Sequence, residues 1–564
     1  MIVNMEILSI EEIQNKYPKR SITSGAEVLR LSPSPTGFVH IGLLYMATIC
    51  KYLAKQSDGV LILRIEDTDS KREVEGAKEE IVKQLKAFGL SYDEGLMLNN
   101  ENKLEEVGNY GPYIQSERAD IYKAYAYYLI EKGYAYKCYM GVEELDIMRD
   151  EQMAKKIRPG VYGPYAKYHN AADAGLANQE LYEEYQRLIN SKAEYVIRFR
   201  ASGDQSQKFE MQDAIMGKVE VPENDEDFIL IKSDGMSTYH LAHVVDDMLM
   251  GTTMVIRGNE WYSSLGKHVA LWNAFGFSGS ALPKYAHVSP INKIEGKTVR
   301  KLSKRKDMEA DVKYFIDAGY KKEAVLAYLL RLANPSFDEY FDKAIKDKSD
   351  LSSSIQAYHL NLEELARAGR GPLLDMPKLN NISSEIVAAM RASEIYSEYA
   401  KYLEDRDTDF YKVIAADRAY TERVLNIERT GEKVRKDIYN YAMIKNQIYY
   451  MFDDVKKDIL PNNPDDTSLE LDKRKVFSAA SGSVLFEILL AKQVLDTDEN
   501  GDNLLGLEAW VEAMKEVSIE MKYEKFGEFM KDLRITITGE EKTPNLYFVL
   551  NVLGKDKVKQ ILGL

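Results

Sequence analysis

Cysteine is nearly missing: Cys50 and Cys138 are the only two in a chain of 564 residues. Two thiols so far apart do not make a disulfide framework. No histidine lies at ligand spacing to turn them into a zinc site. Long apolar runs are missing too, since no stretch reaches the ~18 residues that a membrane-spanning helix needs. The first residues, MIVNMEILSIEEIQNKYPKR, place acids where a signal peptide has its apolar core. Positive charge is scarce. Lysine and arginine number 75 against 90 aspartates and glutamates, a net charge of −15. The average field therefore repels phosphate, and a nucleic-acid partner must meet local basic patches. These absences lead us to expect a soluble, reduced, cytoplasmic protein with no membrane anchor. The hydrophobic fraction is 45%, enough to build sizeable cores in roughly two to four domains.

The chain reads first as a strand–helix–strand unit. EVLRLS (27–32) is a short strand, and Pro33, Pro35 and Gly37 force a turn after it. Residues 41–53 are apolar on nearly all sides, which predicts a buried helix ended by SDG (57–59). VLILRI (60–65) is a continuous apolar run, as in a central parallel strand. The next helix shows Ile81, Leu85 and Phe88 on one face, and residues 119–133 form another, closed by Gly133. Residues 140–220 are polar and carry no clear period. The α/β pattern resumes with FILIK (228–232), MVIRG (254–258), a helix near HVALWNAFGF and the strand in YAHVSP. One sheet split by an insertion of roughly a hundred residues is the expected layout. Strand patterns fade after about residue 320, and segments such as 476–495 have helical spacing.

Two stretches carry chemistry. SPSPTGFVHIG (32–42) lies at the carboxyl end of the first strand, where open α/β sheets bind ligands. Its turn offers free N–H groups and the positive end of a helix dipole. Gly42 lets a flat base approach the backbone, and His40 can donate to an oxygen that gains charge. A capped helix with a buried histidine fits the same pattern. GKTVRKLSKRKD (296–307) is basic and follows the last strand. Mobile lysines there can close over a triphosphate; a solvated charge run fits equally.

Together, HIGL and KLSKR resemble the HIGH and KMSKS signatures of the class I aminoacyl-tRNA synthetases. RLSPSPTGFVHIG, LRIEDTD, GPYIQSER, SDGMSTYHLAHVVDD, VIRGNEW and KLSKRKD follow in order. With TGEEKTPNLYFVLNVLGKDKVKQIL (538–562), they resemble the bacterial type of glutamyl-tRNA synthetase from about residue 30 onward. The resemblance implies an α/β fold: a Rossmann-type catalytic domain with an inserted acceptor-binding domain, then an all-helical anticodon-binding region. The expected partition is an N-terminal extension (1–25), a first catalytic half (26–118), the insertion (119–222), a second half with the KLSKR loop (223–320), a stem-contact region (321–385) and the helical region (386–564).

The resemblance also implies an activity and a site. The family forms glutamyl-adenylate from L-glutamate and ATP, then transfers glutamate to the terminal adenosine of tRNA(Glu). His40, Gly42 and Lys304 would serve ATP, with His40 and Lys304 catalytic and Lys304 on the leaving phosphates. Glu260 and Ile291 match positions that hold ribose and adenine. Arg30 matches the reader of the glutamate side-chain carboxylate, with Tyr239 beside it, and Ser32 follows on the same strand end. Arg257 matches the α-carboxylate contact, and Glu66 and His243 fall by the amino group. Arginine suits both carboxylates because its planar fork binds them in bidentate fashion.

Departures are few. Leu43 replaces the second histidine of HIGH, and His243 replaces a common asparagine. Met140 stands where zinc-binding relatives have a cysteine, so no zinc is expected. Mg²⁺ would arrive on ATP, bridging phosphates rather than sitting in a protein cage. A monomer is expected. Glutaminyl enzymes share the catalytic motifs but carry β-barrel anticodon domains, which a helical C-terminal third opposes. A shortened tRNA-modifying paralogue lacks that third. A catalytically dead tRNA-binding derivative has no need of His40, Gly42 and Lys304.

Overall fold

Apolar runs bounded by turn residues set the first sheet. In the computed structural model, which describes residues 8–564 except 38, 172–177, 192, 304, 348, 368–370, 431–433, 453–476, 478 and 499–502, the chain forms two compact units. One holds residues 1–315 and 326–375, the other 316–325 and 376–564. Among the described residues, no helix is long and apolar enough to cross a membrane.

The first unit begins with α1 (Ile10–Lys16), closed by a Ser9–Glu12 capping box. Residues read as an extension are part of this unit: Ile13 and Tyr17 are buried in its core, and Arg20 pairs with Glu94 at 2.6 Å. Strands β1 (Val28–Leu31) and β2 (Val60–Leu63) flank α2 (Ile41–Gln56) and pair in parallel, Val28 opposite Val60. After α3 (Ala77–Ala87), β3 (Glu94–Leu98) and β4 (Leu104–Val107) complete a four-stranded sheet. Ile81, Leu85 and Phe88 are all buried, as their spacing predicts. Next come α4 (Ala119–Glu131), β5 (Ala135–Cys138), α5 (Val142–Ala154), α6 (Gln179–Ile189) and β6 (Val196–Phe199). A polar hairpin, β7 (Lys208–Asp213) and β8 (Gly217–Pro222), turns on Gly217 at φ 77°. It precedes β9 (Ile229–Ile231), α7 (Tyr239–Leu249), β10 (Met254–Gly258), α8 (Leu265–Ala274) and β11 (Lys284–Val288).

The second sheet has the order β10-β11-β7-β8. FILIK therefore does not reopen the catalytic sheet: β9 pairs antiparallel with β6, in a three-stranded sheet with β5. A short apolar run states that a strand is buried, not which sheet buries it. The two half-sheets meet at β1 and β10. Thr253 N–H donates to Val28 O at 3.0 Å, and Val28 N–H to Thr253 Oγ1 at 2.8 Å.

The basic stretch is partly regular. β12 (Asn292–Glu295) and β13 (Thr298–Lys301) form a hairpin. Arg300 is no mobile cation. It donates to Glu295 at 2.6 Å and to both carboxylate oxygens of Asp307 at 2.7 and 2.9 Å, anchoring the loop base. Among the described residues no strand follows Lys301. The second unit is helical around a core that includes Trp510, Phe410 and Phe529. Its helix Ala479–Ala491 meets the expectation for 476–495, of which 476 and 478 lie outside the described residues.

Candidate active site

The turn between β1 and α2 is built on a cap. His40 holds extended backbone angles at the N-cap of α2, and its Nδ1 accepts the Gly42 N–H at 2.9 Å. A Cβ on Gly42 would lie 3.0 Å from that nitrogen, so glycine keeps the cap uncrowded. The reading of His40 as a helix cap and its reading as a ligand residue therefore coexist in one place. A cavity of about 410 Å³ opens here. His40, Gly42, Glu260 and Ile291 line it, with Lys301 and Leu302. Four residues picked out for ATP thus come together from α2, the segment after β10 and the segment after β11; the fifth, Lys304, lies outside the described residues. Gly258 lets Glu260 fold back, since a Cβ there would run into the Glu260 carboxylate.

Beside this turn lies a buried charge cluster. Arg30 on β1 is 3% exposed; its Nε donates to both oxygens of Asp247 at 3.1 and 3.2 Å, and its Nη1 to Ile256 O at 3.2 Å. Arg64, just past β2, reaches the same aspartate at 2.8 Å and Glu66 at 3.0 Å. Asp246 takes Arg118 Nε at 2.7 Å, Gln115 at 3.0 Å and the Tyr122 hydroxyl at 2.8 Å. Burial alone would raise the Asp247 pKa, but Arg30 and Arg64 hold it well below the usual carboxylate range. Glu66 moves the other way. Burial raises it, and Arg64 and Arg30 offset only part of the rise.

His243, one turn before Asp247 on α7, places Nδ1 2.8 Å from that carboxylate. Burial still lowers its pKa to about 4, so its ring is neutral at physiological pH. Tyr239 stacks on it, rings 5.4 Å apart and 7° from parallel, and lies 4.1 Å from Trp261. Burial raises the Tyr239 hydroxyl pKa; Glu66 adds to the rise, while Arg257 and Arg30 oppose it. Arg257, at the end of β10, is 5% exposed. Its Nε donates to His287 Nε2 at 3.0 Å and its Nη1 to His268 Nδ1 at 2.8 Å. Its Nη2 is buried with no hydrogen-bond partner among the described residues, as is Ser32 Oγ.

Residues 28–359 match the catalytic domain of the class I tRNA synthetases (E and Q), and residues 400–562 match an anticodon binding domain. The chain is 37% identical to a glutamate–tRNA ligase of Clostridium perfringens strain 13, covering 97% of this chain and 95% of that one. The chain belongs to the glutamate–tRNA ligase family. A second relative of that name, from Sorangium cellulosum, is 36% identical over 97% of this chain and 96% of its own. A crystal structure of a glutamate tRNA ligase from Elizabethkingia meningosepticum, in complex with its amino acid, superposes with a TM-score of 0.72 at 26% identity. The match covers 95% of this chain and 98% of that one.

Sequence reasoning on this ligase passed over Arg64, Asp246, Asp247, Arg118, His268 and His287. A signal existed for some of them. Arg64 interrupts a continuous apolar run, and a charge inside a buried strand needs a buried partner. His243 and Asp247 stand four apart, on one helix face. Nothing local marks His268 or His287.

The structure shows what surrounds Cys138. The residue is 1% exposed at the end of β5, and burial raises its thiol pKa. Tyr139, next in the chain, packs against Tyr168, Tyr185 and Tyr195 at 6.0, 6.0 and 5.7 Å. No group of three or more His, Cys, Asp or Glu among the described residues is placed to hold a metal ion. Exhaustive zinc chelation should leave activity intact once Mg²⁺ is resupplied. Elemental analysis that found stoichiometric zinc in purified protein would overturn this reading of Cys138.

Proposed function

We propose that this ligase activates L-glutamate with ATP and transfers it to the terminal adenosine of tRNA(Glu), as a cytoplasmic monomer. A glutamate α-carboxylate oxygen attacks the α-phosphorus of ATP, and pyrophosphate leaves. A ribose hydroxyl of the terminal adenosine then attacks the carbonyl carbon, its proton passing to the departing phosphate, and AMP leaves with the bond electrons. No covalent enzyme intermediate is needed, so placement and charge carry the rate.

In this reading His40, Gly42 and Lys304 hold the phosphates, and Glu260 and Ile291 the ribose and adenine. Arg30 and Tyr239 take the side-chain carboxylate, Arg257 the α-carboxylate, and Glu66 and His243 the amino group, with Ser32 beside them. The observation that supports this most is that one buried cluster joins these groups: Asp247 takes Arg30 at 3.1 Å and Arg64 at 2.8 Å, Arg64 takes Glu66 at 3.0 Å, and the Tyr239 ring stacks on His243 and lies edge-on to His268, which accepts from Arg257. Among the described residues Glu260 is the one carboxylate lining the cavity at His40, a donor set that fits a cation carried in on phosphates better than a protein cage. Mg²⁺ on ATP would screen the charge of the departing pyrophosphate. The insertion (119–222) would bind the acceptor end, residues 321–385 the stem, and the helical region (386–564) the anticodon.

Charging assays with purified tRNA(Glu), run beside ATP–pyrophosphate exchange with and without tRNA, test the proposal. Glutamate should be esterified to tRNA(Glu), with glutamine inert as the amino acid. Exchange that depends on glutamine, or none with any amino acid in the presence of tRNA, would refute it.

A further inference from the structure

Arg257 is held unlike the other buried guanidinium groups of the cluster. Arg30, Arg64 and Arg118 each face an aspartate. Arg257 faces no carboxylate among the described residues; two imidazoles hold it, and its plane lies 4.9 Å from the Tyr285 ring centre. Arginine has donors only, so both facing ring nitrogens must be bare acceptors. That fixes both tautomers. His287 carries its proton on Nδ1, 2.6 Å from Asp213 Oδ2. Asp213 in turn accepts the N–H groups of Ile215 and Met216 at 2.9 and 2.8 Å. His268 carries its proton on Nε2, 3.0 Å from His240 Nδ1. Asp213, His287, Arg257, His268 and His240 form one continuous chain, buried from Asp213 to His268, with Arg257 at its centre.

We propose that His268 and His287 are positioning residues that orient Arg257 without neutralising it, reserving the charge and the free Nη2 for the ligand's α-carboxylate. The inference rests on Arg257 being the α-carboxylate contact. A carboxylate in place of either imidazole would fix the guanidinium equally well. It would also compete with the ligand at close range in a desolvated site, where charge attraction is strongest. A neutral acceptor orients and leaves the charge available. Burial keeps His268 neutral by pushing its pKa well down, so the acceptor is present at physiological pH. Arg30 is the contrast, since Asp247 already shares its charge.

Paired substitutions test this. His268→Asn and His287→Gln keep a neutral acceptor near the original nitrogen; His268→Asp and His287→Glu make it anionic. The anionic variants should raise the glutamate KM about tenfold or more while the ATP KM holds, and the neutral variants should raise it far less. Equal losses in the two variants of a pair, or ATP and glutamate KM moving together, would overturn the proposal. Side-chain nitrogen NMR of histidine in the wild-type protein gives a readout that no folding defect can confuse. It should find His287 protonated on Nδ1 and His268 on Nε2 at neutral pH, and either ring in the opposite tautomer would equally overturn it. Arg257→Ala separates the two layers. An unchanged glutamate KM there would remove the α-carboxylate assignment itself. A raised KM with indistinguishable histidine pairs would remove only this inference.

Discussion

Asp247→Asn will destabilise the first unit by roughly 3–5 kcal/mol, the usual result of removing one partner from a buried ion pair. The aspartate is fully buried and takes Arg30 from β1 and Arg64 from beyond β2 while sitting on α7. Asparagine keeps the shape and loses the charge, leaving Arg30 desolvated on a neutral oxygen and Arg64 still paired with Glu66. The effect is directional in pH as well. The Asp247 pKa is depressed in the folded state, so its contribution is full above the unfolded value of about 3.9 and is lost as pH falls toward the folded value. Tryptophan fluorescence can follow the unit alone in a Trp510→Phe background, because Trp261 and Trp272 both belong to it. Urea unfolding that showed a loss under about 1 kcal/mol, the scale of an exposed ion pair, would mean that the cluster does not brace the site.

Arg30→Ala should raise the glutamate KM steeply and leave the ATP KM almost unchanged. Glutamate entering a closed site sheds water from two carboxylates, and each then needs a charged partner. Arg30 gives Nε and Nη1 to Asp247 and Ile256. Truncating one member of a buried charge pair costs roughly 2–5 kcal/mol, or about 30-fold to several thousandfold in affinity. The variant should also lose much of its preference for glutamate over an analogue with a neutral side-chain group, whereas Arg257→Ala should weaken both alike. Equal weakening of glutamate and the neutral analogue by Arg30→Ala would force the proposed orientation of glutamate to be abandoned. Asp247 is left with Arg64 in this variant, so KM should be compared at temperatures where the unfolding curve shows it native.

Local chemistry made much of the fold legible. Proline and glycine punctuate the turn before α2, Gly133 follows α4, and the apolar run of β2 has no helical alternative of adequate length. The hairpin of β7 and β8 escaped detection although Phe209, Met211, Val219 and Val221 share its packed face, because each strand is only six residues long and lysine, glutamate or glutamine fills the alternate positions. β9 was visible as a strand but not as a member of the smaller sheet, because pairing is chosen by distant partners. The same division runs through the candidate site. His40, Gly42, Glu260 and Ile291 were found by motif, and they do share one cavity. The anchoring of the basic loop by Arg300 was not legible because its partners, Glu295 and Asp307, are ordinary acids in the sequence. Asp247 was passed over because its importance lies in cations far from it along the chain.

That separation has a consequence for synthesis. Arg30, Arg64 and Arg118 leave the ribosome 217, 183 and 128 residues ahead of the aspartates that accept them. At about 5–20 residues per second, each waits roughly 6–40 s for a counter-charge. Until then Arg64 has only Glu66, two residues on, and Arg30 and Arg118 have no aspartate to offset their desolvation, so β1 and β2 cannot settle into their final packing. The final packing of the catalytic half therefore waits on the emergence of α7.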